Sequence, residues 1–153
     1  MQVSDILTRA RVLHKVKGRS KKAILETLAN LIASEAPELT SAEVFNSLIT
    51  RERLGSTGLG HGVAIPHGRI NHGRQPYGAF IYTGEGIDFD AIDNQPVDLF
   101  FALLVPVQAT EEHLQILAQL AEMFSDEAFL ERLRASRSSH EIFELLTQWT
   151  PRP

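Results

Sequence analysis

The residues best suited to chemistry lie between Arg51 and His67, in the run R-E-R-L-G-S-T-G-L-G-H-G-V-A-I-P-H, followed by Gly68 and Arg69. A segment of helical character ends in charge at Arg51, Glu52 and Arg53, and a glycine-rich run follows at Gly55, Gly58, Gly60 and Gly62. Val63, Ala64 and Ile65 read as a short apolar strand that Pro66 ends. Proline cannot donate a ladder hydrogen bond, so His67 is expected at a strand end, where ligand-facing residues of α/β folds lie. Gly68 allows the backbone to turn and leaves the ring uncrowded. A histidine held in this way can act as a nucleophile, an acid or base, or a metal ligand; an ordinary structural role stands beside these.

His113 falls in the first turn of a helix that follows the most apolar segment of the chain. The free N–H groups and positive dipole end of a helix N-terminus favour an anion and disfavour a protonated imidazole. A neutral His113 there can donate one hydrogen bond to a phosphoryl oxygen or to another ring; alternatively it is a polar first-turn residue beside Glu111 and Glu112. Arg51 closes a helix, where a cation complements the dipole, and the same side chain can reach an anion. His61, His67 and His72 can be drawn as a metal triad, but no metal motif has this spacing with a supporting carboxylate. His14, His72 and His140 fall in turn-like or exposed contexts. The glycine run is not a phosphate-cradling P-loop, since no Gly-Lys-Ser/Thr follows and a strand comes next. No G-x-S-x-G elbow supports a hydrolase. The absence of cysteine excludes disulfides and thiolate metal sites.

These residues need elements to hold them. Ser20 caps a helix with an apolar face of Ile24, Leu25, Leu28, Leu31 and Ile32, ending near Ala36 because Pro37 follows. Thr40 with Glu43 is a capping-box pattern for a second helix, whose face is Val44, Phe45, Leu48 and Ile49. The glycines then form a strand pair with tight turns, and Asn71, His72 and Gly73 form another turn. Tyr77 to Thr83 reads as a strand broken by Gly84 and Gly86. Val97 to Val105 is a nearly unbroken apolar run, which predicts a strand buried on both faces. Thr110 caps a third helix with a core face of Leu114, Leu117, Leu120, Ala121 and Phe124. Ser125 or Asp126 starts a short helix with Phe129, Leu130 and Leu133. Ser138 with Glu141 is a further capping box, for a last helix burying Ile142, Phe143, Leu145, Leu146 and Trp149. Two helices, a block of strands and three helices predict an α/β chain whose sheet is covered on both faces.

The chain has 153 residues, enough for one domain with a real core. Its net charge of −4 argues against nonspecific nucleic-acid binding. Arg11, Lys15, Lys17, Arg19, Lys21 and Lys22 nevertheless crowd one stretch, which is either a solvated loop and helix start or a docking patch for an acidic partner. No signal-peptide pattern opens the sequence, and the longest apolar run, Leu99 to Val107, is too short to span a bilayer. The expectation is a soluble, cytoplasmic protein without membrane insertion.

The run L-G-S-T-G-L-G-H-G-V-A-I-P-H-G-R resembles the active-site segment of IIA components of the bacterial phosphoenolpyruvate phosphotransferase system, mannitol/fructose class, and most nearly their nitrogen-regulatory members. The resemblance runs from about Ile6 to Trp149, with I-P-H-G as its core, the upstream R-E-R-L-G-S-T and a second histidine opening a later helix. It implies a single α/β domain over residues 1–153, a mixed sheet flanked by helices on both faces. It implies that His67 accepts a phosphoryl group, as tele-phosphohistidine, from a phosphohistidine carrier protein. It assigns Arg51 to phosphoryl stabilisation and His113 to hydrogen bonding and orientation, with no cofactor and no metal. It implies family targets that include potassium-transport regulators, sensor kinases and nitrogen- or carbon-linked processes. Sugar-transporting relatives often carry a carboxylate six residues before the active histidine, where this chain has His61. That departure, and the lack of a fused transporter segment, favour a regulatory phosphocarrier over a transport component that passes phosphate to a fructose- or mannitol-type IIB protein.

Overall fold

The computed structural model describes residues 1–73 and 75–151. Two 3-10 turns, Val3–Asp5 and Arg9–Arg11, lead into β1 (Val12–His14), α1 (Lys21–Ser34) and α2 (Ser41–Glu52). The strands β2 (Gly58–Gly60), β3 (Val63–Ala64), β4 (His67–Ile70), β5 (Tyr77–Ile87) and β6 (Val97–Pro106) follow. The chain closes with α3 (Thr110–Met123), α4 (Glu127–Arg134) and α5 (Ser139–Gln148). The six strands form one mixed sheet in the order β1-β5-β6-β3-β2, with β4 also pairing to β6. β5 runs antiparallel to β6, whereas β3 and β4 run parallel to it.

β6 is apolar throughout because both of its faces are covered. Leu99, Phe101, Leu103 and Val105 belong to one core layer, together with Ile116, Leu120, Leu130, Leu133, Ile142 and Leu146 from α3, α4 and α5. Val97, Phe100, Ala102 and Leu104 belong to the other, with Ile24, Leu28, Ile32, Val44 and Leu48 from α1 and α2. From Leu99 to Val105 the alternation is the period-two geometry of a strand, and Val97, before the run, departs from it. The single-domain mixed sheet flanked by helices on both faces is therefore as expected.

Local signals set most helix starts. Ser20, Asp126 and Ser138 each accept from the backbone N–H three residues on, and Thr40 and Glu43 form a complete capping box. At Ser138 the box is half made, because Glu141 accepts from the Arg137 N–H instead. The third helix differs from expectation. Its N-cap is Ala109, which has no side-chain oxygen, and Thr110 is already helical. Its inward face is His113, Ile116, Leu120 and Met123, while Leu114 is 61% exposed. Leu114, Leu117 and Ala121 recur at helical spacing equally well, so periodicity alone could not choose between two stripes offset by one residue.

Two further expectations need correction. The short strand does end before Pro66, at Ala64, but pairing with β6 is not lost: Val63 and Ala64 face Leu99 and Phe100, and His67 to Ile70 resume in the same register against Leu103 to Pro106. Pro66 lacks the donor, but its carbonyl accepts from Leu103 N–H at 2.9 Å. His67 thus opens β4 rather than terminating a strand. Nor do Gly84 and Gly86 end β5, which absorbs them as an irregularity in its pairing between Tyr82 and Ile87.

The basic stretch is partly taken up inside the fold. Arg11 is buried, donating to the carbonyls of Gly78 and Ile6 and to Glu35. Lys21 pairs with buried Glu52 at 2.8 Å. His14 lies on β1, half-buried, with Nε2 against the Ser136 carbonyl, rather than in a turn.

Candidate functional site

Strand alternation along β4 sorts its side chains. His67 and Arg69 stand beside Leu103 and Val105, and so on the α3 side of the sheet, while Gly68 stands beside Leu104 on the α2 side. A Cβ on Gly68 would lie 2.2 Å from Ser47 Oγ and 3.0 Å from the Ser47 carbonyl carbon. Gly68 is therefore required by the close approach of α2, not by a turn. Ser47 Oγ seals the contact by donating to the Arg69 carbonyl at 2.8 Å.

His67 Nδ1 lies 2.8 Å from the Ile65 carbonyl. A carbonyl only accepts, so Nδ1 carries the proton and a neutral ring keeps its lone pair on Nε2. Burial holds the His67 pKa below the ordinary histidine range; the Ile65 hydrogen bond opposes this, the Arg51 charge adds to it, and the Glu52 charge opposes it. The residue is half-buried.

His113 reaches the same place from α3. Its ring centroid is 5.6 Å from that of His67, with the planes tilted by 54°. His113 is buried and its Nδ1 has no hydrogen-bond partner. Burial, then the charges of His67 and Arg69, hold its pKa below the ordinary range. Both rings are thus kept neutral near pH 7, one as a base with a free nitrogen and the other as a close neighbour.

A cavity of about 610 Å³ joins these groups. Glu43, Asn46, Ser47, Thr50, Arg51 and Leu54 line it from α2 and the turn beyond, His67 to Ile70 from β4, Asn71 and His72 from the following loop, and His113 from α3. Arg51 is in the last turn of α2 and its Nη1 donates to the Gly55 carbonyl at 2.8 Å, which steadies the guanidinium at the rim. The sequence-predicted residues His67, His113 and Arg51 therefore share one cavity. Two arginines and two neutral imidazoles around an open space suit an anion with several oxygens.

The other histidines separate from this group. His61 sits in the β2–β3 turn at φ 57°, its N–H donating to Asp93 and its carbonyl accepting from Arg134. His72 faces the cavity but pairs with Glu43 at 2.8 Å. Among the described residues, no group of three His, Asp or Glu side chains is placed to hold a metal ion.

Sequence reasoning assigned no role to Arg69, or to Asn46, Ser47 and Thr50. The signals were present. Glu43, Asn46, Ser47, Thr50 and Arg51 recur at helical spacing opposite the apolar face, and Arg69 is two residues beyond His67, hence on its face of a strand. Ending the strand at Pro66 hid the second signal.

Residues 5–149 match the family described as phosphoenolpyruvate-dependent sugar phosphotransferase system, EIIA 2. The chain is 44% identical to the nitrogen regulatory protein of Pseudomonas aeruginosa, over 95% of each chain. It is 33% identical to the fructose-specific EIIA component of Haloferax volcanii, over 84% of each. The crystal structure of nitrogen regulatory protein IIA-Ntr from Neisseria meningitidis superposes with a TM-score of 0.89 at 46% identity, covering 95% of this chain and 99% of that one.

Proposed function

The chain belongs to the phosphoenolpyruvate-dependent sugar phosphotransferase system EIIA 2 family, alongside its nitrogen regulatory members, and on that premise we propose that it is a regulatory phosphocarrier whose His67 accepts a phosphoryl group from a phosphohistidine carrier protein. The observation that carries this reading is the His67 Nδ1 to Ile65 carbonyl hydrogen bond, which leaves Nε2 as the nucleophilic nitrogen of a ring lining the cavity.

In the transfer, the Nε2 lone pair forms the new N–P bond as the carrier's N–P bond breaks and its electron pair returns to the carrier's ring. The Nδ1 proton stays against the Ile65 carbonyl. Phosphoryl transfer passes through a loose, charge-spread transition state, so positioning and electrostatics do most of the catalysis. Arg51 supplies fixed positive charge to the phosphoryl oxygens. His113 packs beside His67 and limits its orientation. Phosphorylation adds about two negative charges at the mouth of the cavity. The phosphorylated and free forms then differ in the face they present to targets such as potassium-transport regulators or sensor kinases. The role is a cytoplasmic one, and none of the described helices is long and apolar enough to cross a membrane.

The test is phosphoryl transfer from phosphoenolpyruvate through the first enzyme of the cascade and its carrier protein, followed by intact mass. Wild type gains one phosphoryl group and His67→Ala gains none. Equal labelling of both, or no labelling of wild type by a charged carrier, overturns the reading. The 33% identity to a fructose-specific EIIA component keeps a transport role as the second reading. Loss of the label to a fructose- or mannitol-type IIB protein would establish it.

A further inference from the structure

The start of α3 lacks the anchor that the other α-helices have. Ser20, Thr40, Asp126 and Ser138 cap their helices through side chains, whereas Ala109 cannot. An uncapped first turn leaves backbone donors unsatisfied and frays readily. Yet this turn carries His113. Arg69 does not cap those donors, since a guanidinium only donates, but it anchors the turn through its oxygens: its Nη2 donates to the Thr110 hydroxyl at 2.8 Å and also to the Val107 carbonyl. Thr110 is the first residue of the helix and Val107 lies in the connection before it. Arg69 itself projects from β4 on the same side as His67.

We infer that Arg69 is a positioning residue for the His67 site: its guanidinium ties the strand carrying His67 to the helix start carrying His113, and so sets the approach of the two rings. The consequence for transfer rests on the phosphocarrier reading; the consequence at His113 rests on the tie alone.

The same cation works electrostatically. The charged and titratable groups facing the cavity with His113 are Glu43 and Arg51 of α2, His67 and Arg69 of β4, and His72 beyond it. Burial, His67 and Arg69 together disfavour protonation of His113. A nearby cation penalises the charged form of an imidazole, so removing Arg69 eases that penalty. Arg51 alone was assigned to the phosphoryl group by resemblance. Arg69 adds a second positive charge to the cavity lining, already committed to protein oxygens and therefore fixed in place.

The experiment compares the full chain as wild type, Arg69→Met and Arg69→Lys. Nitrogen-15 NMR follows the His113 titration in the unphosphorylated protein, and intact mass follows the initial rate of phosphoryl acceptance. In Arg69→Met the His113 pKa rises, and transfer slows by about 10- to 100-fold, the scale expected when a reacting group is misplaced by an ångström or less. Arg69→Lys retains a cation with donors for the same two oxygens and restores the titration and most of the rate. An unmoved His113 titration in Arg69→Met, or a rate equal to wild type, overturns the inference. Failure of Arg69→Lys to restore either quantity also overturns it. Should Arg69→Met not fold, Thr110→Val removes one of the two acceptors and must slow transfer for the tie to stand. If wild type accepts no phosphoryl group, the phosphocarrier reading falls while the His113 titration still decides the role of Arg69.

Discussion

The His67 and His113 rings lie 5.6 Å apart at a tilt of 54°, although β5 and β6 separate them in the chain. Their meeting follows from register. His67 pairs with Leu103 near the end of β6, and the chain leaves β6 at Pro106 to fold α3 back over the same face. The two rings pack together away from water, and the charge of a protonated His67 makes protonation of His113 less favourable.

That electrostatic arrangement sets a pH dependence. Attack needs neutral His67, whose pKa lies below the ordinary value of about 6.5. Phosphoryl acceptance is therefore at its plateau near pH 7 and falls only as pH drops through the depressed pKa. Arg51→Met removes a charge that holds this pKa down, so the acid limb moves to higher pH while the plateau drops. An NMR titration of His67 beside the pH–rate profile checks this. An acid limb that stays in place would separate Arg51 from the His67 ring.

Gly68→Ala brings a methyl group into Ser47 of α2 at 2.2 Å. The overpacking is expected to destabilise the fold by about 1–3 kcal/mol. Ser47→Ala in the same chain relieves the Oγ contact but not the backbone contacts at 3.0 Å, so it recovers only part of the loss. Urea unfolding of the single and double variants measures the coupling. Additive losses would place the strain elsewhere.

Glu52 is buried, with a side chain only 1% exposed, and it accepts from Lys21 and from the backbone and hydroxyl of Thr57. It joins α1, α2 and the segment before β2 directly beside Arg51. Lys21→Met leaves a buried carboxylate without its cation and is expected to cost about 3–5 kcal/mol. The double variant Lys21→Met, Glu52→Gln should regain much of this, because no unpaired charge remains. Equilibrium unfolding at pH 7 gives both values.

The orientation of α3 is open to a direct check. Leu114→Ser, on the exposed stripe, should change stability by no more than about 0.5 kcal/mol. Ile116→Ala, which is fully buried, should cost about 2–5 kcal/mol. The reverse ranking would restore the stripe that periodicity first indicated.

Much of this molecule was legible in the chain itself. Capping residues at Ser20, Thr40, Asp126 and Ser138, the apolar run of β6 and the order of helices and strands are local signals, carried by neighbours in sequence. The I-P-H-G motif drew attention to His67, and the family resemblance, not spacing, singled out Arg51 and His113. What the tertiary structure decided were matters of facing. Whether His113 or Leu114 turns inward depends on where α3 lies against β6, since adjacent stripes on a helix have similar periodicity. Whether Pro66 stops a strand depends on the neighbour, because a proline that cannot donate can still accept from Leu103. Arg69 became visible only once strand pairing was seen to resume in β4 beyond Pro66. Local propensity selects an element, but the side that meets the core is chosen by packing among parts distant in sequence, and the chemistry here depends on that choice.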